Sequence, residues 1–407
     1  MSRRWWIAVL LFLATAVNYL DRQVLSVTAP VLREQLHISA IEYSRILFAF
    51  MLACAGMQMV AGRMVDRVGP KAALAIAMAW WSLAGMLHAS AQTVWHLGAM
   101  RFLLGIGEAG NWPASVKAVR QWFPPHQTAL AVGVFNSGSC LGGLVAPPLI
   151  AWLTLTYSWR AAFVATGALG LAWLLLWWPG YGTPPAFAAT DDQGEAVRWR
   201  NLLRRRSLWG LMAARFCCDP VWWFYVFWLP DYLHSARGLD LKQIGAIAWV
   251  PFLTAGAGNL AGGWLSGYLI ARGSAAPRAR KLVMVASAVL MLAGLWAVGA
   301  PTAGGAIAAI SLVTFAYSCW AANILTLPAD VFENAALGTA AGLCGSAAGV
   351  GGMLSTLTIG WLVERVSYAP AFAAAAAAPI AAAGFILILV RQPRSNEIPH
   401  QAPIRPK

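Results

Sequence analysis

The sequence predicts an all-α membrane protein with twelve membrane-spanning helices arranged as two halves of six. Three observations predict it: an apolar composition, a series of apolar stretches of bilayer length, and a glycine-rich motif that recurs roughly 200 residues later. Apolar residues make up 59% of the 407 positions, charged residues make up 11%, and the mean hydropathy is +0.62. Soluble domains carry about 25% charged residues. So few charges cannot cover a water-exposed surface of this size, so most of the surface must face lipid.

The apolar stretches have the length of about 20 residues that a helix needs to cross a bilayer. One long polar segment, residues 180–206, separates the sixth stretch from the seventh. We therefore predict an N-terminal six-helix half at 1–180, a cytoplasmic linker at 181–206, a C-terminal six-helix half at 207–391 and a cytoplasmic tail at 392–407. The predicted spans are 5–29, 43–65, 72–91, 94–119, 128–155, 159–179, 207–233, 244–271, 282–300, 304–331, 337–363 and 370–390.

The distribution of basic residues predicts the orientation. An even number of spans places both termini on one side, and lysine and arginine accumulate in cytoplasmic loops. Twenty of the 29 lysines and arginines fall on the side of the termini, six fall on the opposite side, and three lie inside spans. We therefore predict cytoplasmic termini. The short loops are typical of a protein of the bacterial inner membrane.

Tryptophan pairs lie in the apolar stretches, many of them at the ends. Indole prefers the headgroup zone, where one edge is apolar and the N–H is wet. The sequence therefore predicts interfacial anchors, with cavity lining as the alternative for some of the pairs. The pairs are Trp5-Trp6, Trp80-Trp81, Trp177-Trp178 and Trp222-Trp223.

The placement of residues argues against several other classes of protein. The net charge of +14 comes from short basic clusters between apolar stretches and not from one basic face, so a nucleic-acid partner is not expected. The six cysteines lie in apolar segments without C-x-x-C spacing, so neither a metal nor a disulfide is expected. The six histidines form no cluster with carboxylates and no nucleophile motif is present, so we expect no enzyme and no cofactor. The apolar N-terminal run is long enough to be a first span and lacks a signal-peptide cleavage site.

Two glycine motifs need separate interpretation. Gly105-Ile-Gly-Glu-Ala-Gly110 matches the spacing of a dinucleotide-binding loop, but it lies inside an apolar helix without a preceding strand, so we predict close helix packing. The segment from Gly62 to Lys71 follows the second stretch, and Gly263 to Gly273 follows the eighth, as glycine-spaced turns that enter basic loops. In the first of these, Asp66 can cap a helix, and Arg67 and Lys71 can anchor in the cytoplasm. In the second copy Gly267 stands where the aspartate would be.

Six charged side chains lie inside the predicted spans and away from their ends. A charge near the middle of a bilayer costs ~2.5–3.5 kcal/mol on insertion scales, so each should face a cavity or a partner. Arg215 and Asp219 are four residues apart, and we favour a structural ion pair for them. Cavity-facing groups are predicted at the other four positions, Asp21, Arg22, Arg101 and Glu108.

These residues carry a resemblance to a known family. The segments Asn18-Tyr-Leu-Asp-Arg22 and Arg101 to Ala114, with its Asn111-Trp-Pro, resemble the anion:cation symporter branch of the major facilitator superfamily. Arg215-Phe216 and the stretch from Asp219 to Pro230 are similar to hexuronate transporters within that branch. The loop at Gly62 resembles the G-x-x-x-D-R-x-G gating loop of the superfamily. The likeness covers nearly the whole chain.

The resemblance implies a role for each matching position. Asp21 and Glu108 are expected to bind and release protons, and Arg101 is expected to set their protonation and to belong to the substrate-binding set. Arg22 is expected to hold the substrate carboxylate. Hydrogen bonds to sugar hydroxyls are expected from Tyr19, Asn136 and Asn323, and the gating loop is expected at Gly62, Asp66, Arg67 and Gly69.

The resemblance implies a proton-coupled symporter that imports an organic anion by alternating access, and the substrate expected first is a hexuronate. The partners would be the anion, protons and lipid, and the protein would be a monomer. Hexuronate transporters often have a tyrosine at the position of Cys54 and an aspartate near Gly256, so an aromatic or short-chain monocarboxylate is an alternative substrate. From another class, a non-transporting sensor of sugar acids is an alternative that would need a cytoplasmic output domain.

Overall fold

The protein is described by a computed structural model that covers residues 3–123, 125–184, 202–332 and 334–390. Side chains at 59, 62, 63, 66, 125–130, 329 and 334–339 lie outside the description. Most of the predicted linker and the whole predicted tail also lie outside the described residues. Within these ranges the regular structure is helical, in agreement with the predicted all-α class.

The first half of the chain contains six long helical segments. Ser39 begins the second with a capping box, in which its hydroxyl accepts from the backbone N–H of Glu42 and the Glu42 carboxylate accepts from the N–H of Ser39. The fourth predicted span is interrupted directly after Glu108, at residues 109–110. The helices are α1 (Arg3–Gln35), α2 (Ala40–Leu87), α3 (Val94–Glu108), α4 (Asn111–Trp122), α5 (Pro125–Thr156) and α6 (Trp159–Gly180).

The second half of the chain repeats this pattern with more interruptions. Asp240 begins a short helix with a second capping box, formed with Gln243. The helices are α7 (Arg206–Ser235), α8 (Leu241–Ile247), α9 (Val250–Ala271), α10 (Ala276–Leu290), α11 (Gly294–Gly299), α12 (Ala303–Ile324), α13 (Leu327–Val331), α14 (Asn334–Arg365) and α15 (Tyr368–Leu389).

Ten helical segments within the described residues are long and apolar enough to cross a membrane. The protein is therefore a multi-pass membrane protein. The fourth and seventh predicted spans are not among the ten. α3 has only 15 residues, and α7 carries Arg215, Asp219 and Asp231. These two spans contain four of the charged residues that the sequence places inside the membrane, Arg101 and Glu108 in α3 and Arg215 and Asp219 in α7.

The loop predicted after the second span is reduced to one residue. α2 continues through it, and only Gly69 leaves the helical conformation, with φ of 80° and ψ of 159°. A residue with a Cβ adopts a positive φ at a cost of roughly 1–2 kcal/mol, so glycine is the residue that suits this corner. The chain thus reverses between two spans with almost no loop.

The two halves pack against each other at one end of the bundle. The Tyr43 hydroxyl of α2 donates to the carbonyl of Phe227 in α7 at 2.9 Å. The Glu364 carboxylate of α14 accepts from the backbone N–H of Ile41 at 2.8 Å, at the N-terminus of α2. A carboxylate is favourable there because the helix dipole is positive at that end. We call this the outer end, because it lies opposite the end at which the described chain begins.

Candidate functional site

Two of the predicted site residues form a direct ion pair inside the first half. Nε of Arg22, in α1, donates to Oε2 of Glu108 at 2.5 Å. Glu108 is the last residue of α3, and residues 109–110 keep right-handed helical dihedrals and lead directly into α4. The side chain of Arg22 is 9% exposed and that of Glu108 is 0% exposed. The pair joins a fully enclosed acid to an arginine that is itself buried.

Aromatic rings surround the guanidinium of Arg22. Its Cζ lies 5.2 Å from the ring centre of Tyr19, 5.5 Å from Phe50 and 5.6 Å from Trp223. These distances are within the range of cation–π attraction. Tyr19 and Phe50 belong to the first half and Trp223 belongs to α7 of the second half. Arg22 therefore lies where the two halves meet.

Arg101 contacts the backbone of Arg22. It is fully buried, and its Nη2 donates to the backbone carbonyl of Arg22 at 3.0 Å. Its Cζ lies 5.5 Å from the ring centre of Phe50, the ring that also contacts Arg22. Arg101 thus fixes the backbone from which the Arg22 side chain projects.

Asp21 is buried next to this pair. Among the described residues, neither of its carboxylate oxygens has a hydrogen-bond partner, and the same is true of Oε1 of Glu108 and of the side-chain amide of Asn18. Buried polar groups are normally hydrogen-bonded, and an uncompensated charge inside a membrane is costly. Asp21 and Glu108 are therefore the acids whose charge this half of the protein has to control.

The described contacts bring together four of the predicted residues, Tyr19, Arg22, Arg101 and Glu108, with Asp21 adjacent on α1. They connect neither Asn136 nor Asn323 to this cluster. Asn136 lies half-buried on α5. Asn323 is fully buried, and its Nδ2 donates to the carbonyls of Gly262 at 3.1 Å and Cys319 at 2.9 Å. The amide of Asn323 thus ties α12 to α9.

Sequence reasoning named Tyr19 but missed the other two rings around Arg22, Phe50 and Trp223. Trp222 and Trp223 lie in the middle of α7 and not at an end of the span, so their position does not fit the predicted interfacial anchor. Trp222 stacks on Tyr317 with ring centres 5.5 Å apart and an interplanar angle of 13°. Their position far from either end of the seventh apolar stretch was the signal that could have identified them. Phe50 carried no such signal.

The glycines between Gly105 and Gly110, whose spacing matches a dinucleotide-binding loop, allow close helix packing, as predicted. A Cβ at Gly107 would lie 2.7 Å from Cδ1 of Trp80, and a Cβ at Gly110 would lie 2.9 Å from that of Ala77. Contacts below 3.0 Å are not tolerated without movement of a neighbour, so the motif allows α3 to lie directly against α2. This contact in turn holds Glu108 in place.

The outer end carries a polar cluster that the sequence analysis did not predict. Nη1 of Arg33, at the end of α1, lies 2.5 Å from both carboxylate oxygens of Asp231 in α7. The Tyr368 hydroxyl of α15 also donates to Asp231. The Arg33 side chain is 23% exposed and that of Asp231 is 1% exposed. Open depressions of about 400 and 530 Å³ flank Arg33.

The predicted gating loop is described only in part. Gly69 forms the corner of α2, and Arg67 is exposed beside it. The backbone at Gly62 and Asp66 is helical, and the Asp66 side chain lies outside the described residues. No group of three or more metal-ligating side chains occurs in the part of the chain that the structure describes.

Comparisons with known proteins agree with this architecture. The sequence matches the family described as Major Facilitator Superfamily over residues 11–343. The hexuronate transporter of Escherichia coli (strain K12) is 33% identical over 390 residues, which cover 91% of this chain and 90% of that protein. The galacturonate transporter of Dickeya chrysanthemi is 36% identical over 280 residues, 64% of this chain and 81% of that protein.

Solved structures show the same fold. The crystal structure of a D-xylose-proton symporter superposes with a TM-score of 0.75 at 18% identity and covers 95% of this chain and 98% of that chain. The resemblance to bacterial hexuronate transporters is confirmed by the sequence relatives, and the chain is a membrane transporter and not an enzyme. On its sequence and its fold, this chain belongs to the major facilitator superfamily.

Proposed function

We propose that the protein is a proton-coupled symporter that imports an organic anion, with a hexuronate as its substrate, by alternating access in a bacterial inner membrane. The observation that carries the proposal is the Arg22–Glu108 pair, a buried arginine bound to a fully buried acid at the junction of the halves. The E. coli and Dickeya relatives, named for hexuronate and galacturonate, supply the substrate class.

The number of spans and their orientation in the membrane are also part of the proposal. We take α3 with α4, and α7, as the two spans that carry intramembrane charge, which brings the ten apolar segments to twelve. The first half then ends near residue 180, the second runs from 207 to 391, and residues 181–206 form the linker. The basic residues place both termini in the cytoplasm and the outer end in the periplasm. The transporter acts as a monomer.

Arg22 is the proposed ligand of the substrate carboxylate. A guanidinium binds a carboxylate through two parallel N–H donors, and such charge-assisted bonds are about twice as strong as neutral ones. One nitrogen of Arg22 already binds Glu108, so Glu108 and the substrate compete for the same cation. Arg101 contributes by holding the Arg22 backbone.

Glu108 and Asp21 are the proposed proton carriers. When Glu108 is ionised, its negative charge balances the positive charge of Arg22, so the substrate anion finds no unpaired cation. A proton on Glu108 releases Arg22, and the substrate carboxylate then restores neutrality. Asp21 lies adjacent on α1 and receives or supplies a second proton. Coupling results because an anion inside the membrane is stable only when a proton accompanies it.

The sugar hydroxyls would be recognised by side chains that can both donate and accept. Tyr19 lies beside Arg22 and is placed for this role. Asn136 and Asn323 stay in the proposed set, although the Nδ2 of Asn323 is occupied by two backbone carbonyls, which leaves only its Oδ1 for a substrate.

Alternating access would use the contacts at the two ends. The Arg33, Asp231 and Tyr368 cluster supports an outwardly closed form, and it must open to admit substrate from the periplasm. The loop residues Gly62, Asp66, Arg67 and Gly69 would act at the cytoplasmic end.

An aromatic or short-chain monocarboxylate is the second candidate. Trp222, Tyr317 and Phe252 form an aromatic wall, with Trp222 and Phe252 ring centres 5.8 Å apart. Cys54 donates its thiol to the Gly105 carbonyl, and a Cβ at Gly256 would meet only Cys140. These two positions therefore provide few hydrogen-bonding groups for sugar hydroxyls.

Uptake into proteoliposomes separates the two substrates. Labelled glucuronate is offered with and without an inward proton gradient, in competition with galacturonate, gluconate, lactate or benzoate. Uptake that needs the gradient and is blocked only by sugar acids is expected. Gradient-driven uptake of lactate or benzoate, with none of glucuronate, would retain the proton mechanism and reject the sugar.

A further inference from the structure

Buried polar groups without a protein partner are concentrated in the interior of the first half. Of the 18 buried side-chain nitrogen and oxygen atoms that have no hydrogen-bond partner among the described residues, 12 lie on α1, on the part of α2 that follows Gly69 and on α3. Buried polar atoms that no protein group satisfies are hydrogen-bonded by ordered water. The concentration of such atoms therefore indicates internal water between these three segments.

One of these groups, His88, takes no part in the proposed mechanism. It is fully buried at the point where α2 ends, and its ring stacks on Phe163 of α6 with ring centres 4.9 Å apart and an interplanar angle of 8°. Its Nδ1 lies 2.8 Å from the carbonyl oxygen of Ala84, and a carbonyl only accepts, so Nδ1 carries the proton. Nε2 of the neutral ring is then a buried acceptor with no partner among the described residues.

There is space beside His88. Trp81, Gly85 and His88 are spaced four and three residues apart, so they share one face of α2. That face is interior, because the exposed Leu83 and Leu87 lie on the opposite side of the helix. Gly85 is buried, and a Cβ there would meet no atom within 4 Å beyond the neighbouring backbone of its own helix, which is true of no other buried glycine that the structure describes. A gap of this size admits water, because a water molecule needs only about 3 Å to its polar neighbours.

The inner end of this face reaches Asp21. The side chains of Trp81 and Thr166 lie close to the Asp21 carboxylate, although neither carboxylate oxygen has a partner at hydrogen-bond distance among the described residues. Polar groups that are near each other without direct contact are commonly bridged by water. Trp81 precedes His88 by seven residues, which is about 10 Å of α-helix. A short row of waters spans this distance.

The other end of the face reaches the outer end of the bundle. α2 begins at the outer end, reverses at Gly69 and returns to the outer end at Leu87. Ser90, two residues after His88, is exposed. The residues of this face all belong to the first half, whereas the Arg33 cluster joins the two halves. The face thus connects the outer surface to the buried acid without crossing the junction of the halves.

We propose that a water-lined path inside the first half carries protons from the outer end, past His88 and Gly85, to Asp21, and that it is separate from the opening between the halves through which the substrate enters. His88 is a positioning residue, whose Nε2 accepts a hydrogen bond from the water of the path and so orients it. The inference rests on the proposed function, because the path supplies the protons that the exchange at Arg22 uses.

The path delivers a proton without storing it on the way. A proton that joins the outermost water releases another from the innermost water, and a carboxylate oxygen of Asp21 takes that proton, so the acid becomes neutral. No proton rests on His88, because the permanent charge of Arg101 lies within electrostatic range of the ring and repels a second positive charge. Asp21 is also within electrostatic range of Glu108, so a second acid is next to it. The acids can therefore be loaded while the Arg33 cluster is intact.

The test fills the space at Gly85 and uses right-side-out membrane vesicles that contain the full chain, so that the outer end faces the medium. Uptake of labelled glucuronate driven by an inward proton gradient should fall at least about tenfold in Gly85→Val. Exchange of internal for external glucuronate at equal pH should be unchanged, because the acids then keep their protons. Gly384→Val is the matched control, because Gly384 is half-buried in α15 and a Cβ there also meets no atom within 4 Å.

The control variant should keep the parental rates of uptake and of exchange. Equal gradient-driven uptake in Gly85→Val and Gly384→Val, or a parallel loss of uptake and exchange in Gly85→Val, overturns this inference alone. Uptake that does not depend on the proton gradient in the parent protein overturns the proposed function as well.

Variants of His88 test its positioning role. His88→Phe keeps a ring against Phe163 and loses the acceptor, so gradient-driven uptake should fall and its half-maximal rate should move to an external pH lower by about one unit, where more protons are supplied. His88→Gln provides an amide oxygen as acceptor and should recover most of the rate. An unchanged pH profile in His88→Phe, or a loss of exchange equal to the loss of uptake, would exclude His88 from the path.

Discussion

Arg22 and Glu108, 86 positions apart in sequence, form a direct ion pair in which one nitrogen of the guanidinium binds one oxygen of the acid at 2.5 Å. Arg22 is also surrounded by rings from both halves of the chain. In the proposed mechanism this arrangement links three events in one place. Proton binding to the acid, anion binding to the arginine and movement of the halves would all change the surroundings of the same guanidinium.

The Glu108→Gln variant is expected to lose gradient-driven uptake by at least about tenfold, which is about 1.4 kcal/mol. Glutamine is neutral at every pH, so Arg22 stays available to the anion but no proton is carried at this position. Exchange of internal for external glucuronate without a gradient should persist. Wild-type rates of gradient-driven uptake in this variant would remove Glu108 from the coupling mechanism.

The Trp223→Ala variant is expected to weaken substrate binding. A cation–π contact contributes about 0.5–2 kcal/mol, so removal of this ring should raise KM by about 2- to 30-fold. Trp95→Ala is the matched control, because Trp95 is 83% exposed at the start of α3. An unchanged KM in Trp223→Ala, with the control also unchanged, would exclude a role for this ring in holding Arg22.

The Asp231→Asn variant is expected to open the outer end. Removal of one partner from a buried ion pair costs ~3–5 kcal/mol, and the cost is smaller here because Arg33 is 23% exposed. A cysteine introduced by Ser44→Cys can report this opening, because the side chain at position 44 packs directly against Gly360 at the outer end. Its labelling by a membrane-impermeant maleimide should become at least about fivefold faster, which is ~1 kcal/mol.

Glu34→Gln is the control for this experiment, because Glu34 lines one of the depressions beside Arg33 and is exposed. It should leave the labelling rate unchanged. Equal labelling rates in Asp231→Asn and in the parent reporter would mean that the Arg33 cluster does not hold the outer end closed.

The Gly69→Ala variant is expected to be destabilised by about 1–2 kcal/mol, because the residue at this corner has a positive φ of 80°. Thermal unfolding in detergent measures the effect. Gly56→Ala is the control, because a Cβ at Gly56, in the same helix, meets no atom within 4 Å. It should keep or slightly raise the stability. Similar stability of the two variants would show that the corner tolerates a side chain.

Much of the fold could be predicted because the lipid environment makes the pattern simple. Long apolar stretches, a basic bias and glycine turns predict the class, and the intramembrane charges predict the Arg215–Asp219 pair. They single out Arg22 and Glu108 as cavity-facing groups but do not predict that these two side chains bind each other. The contacts of Phe50 and Trp223 with Arg22 could not be predicted, because these rings come together only in the packed bundle. The Arg33–Asp231 contact joins positions 198 residues apart, and neither residue stands inside an unusual motif.

The distortion between α3 and α4 could not be predicted from the sequence. A run of glycines predicts close packing, and these glycines do lie against Trp80, Trp81 and Ala77 of α2. It does not predict that the helical hydrogen-bond pattern is interrupted at residues 109–110, which keep right-handed helical dihedrals and lead directly into α4.

In the proposed mechanism, a proton on Glu108 frees Arg22 for the substrate carboxylate. The most direct test is the affinity of the purified protein for glucuronate, measured by calorimetry as a function of pH, in the wild type and in Glu108→Gln. The ionised acid competes with the substrate, so wild-type affinity should fall as pH rises, by up to about tenfold per unit for one linked proton. In Glu108→Gln this dependence should disappear. A wild-type affinity that is independent of pH, or a variant with the wild-type slope, would contradict the account.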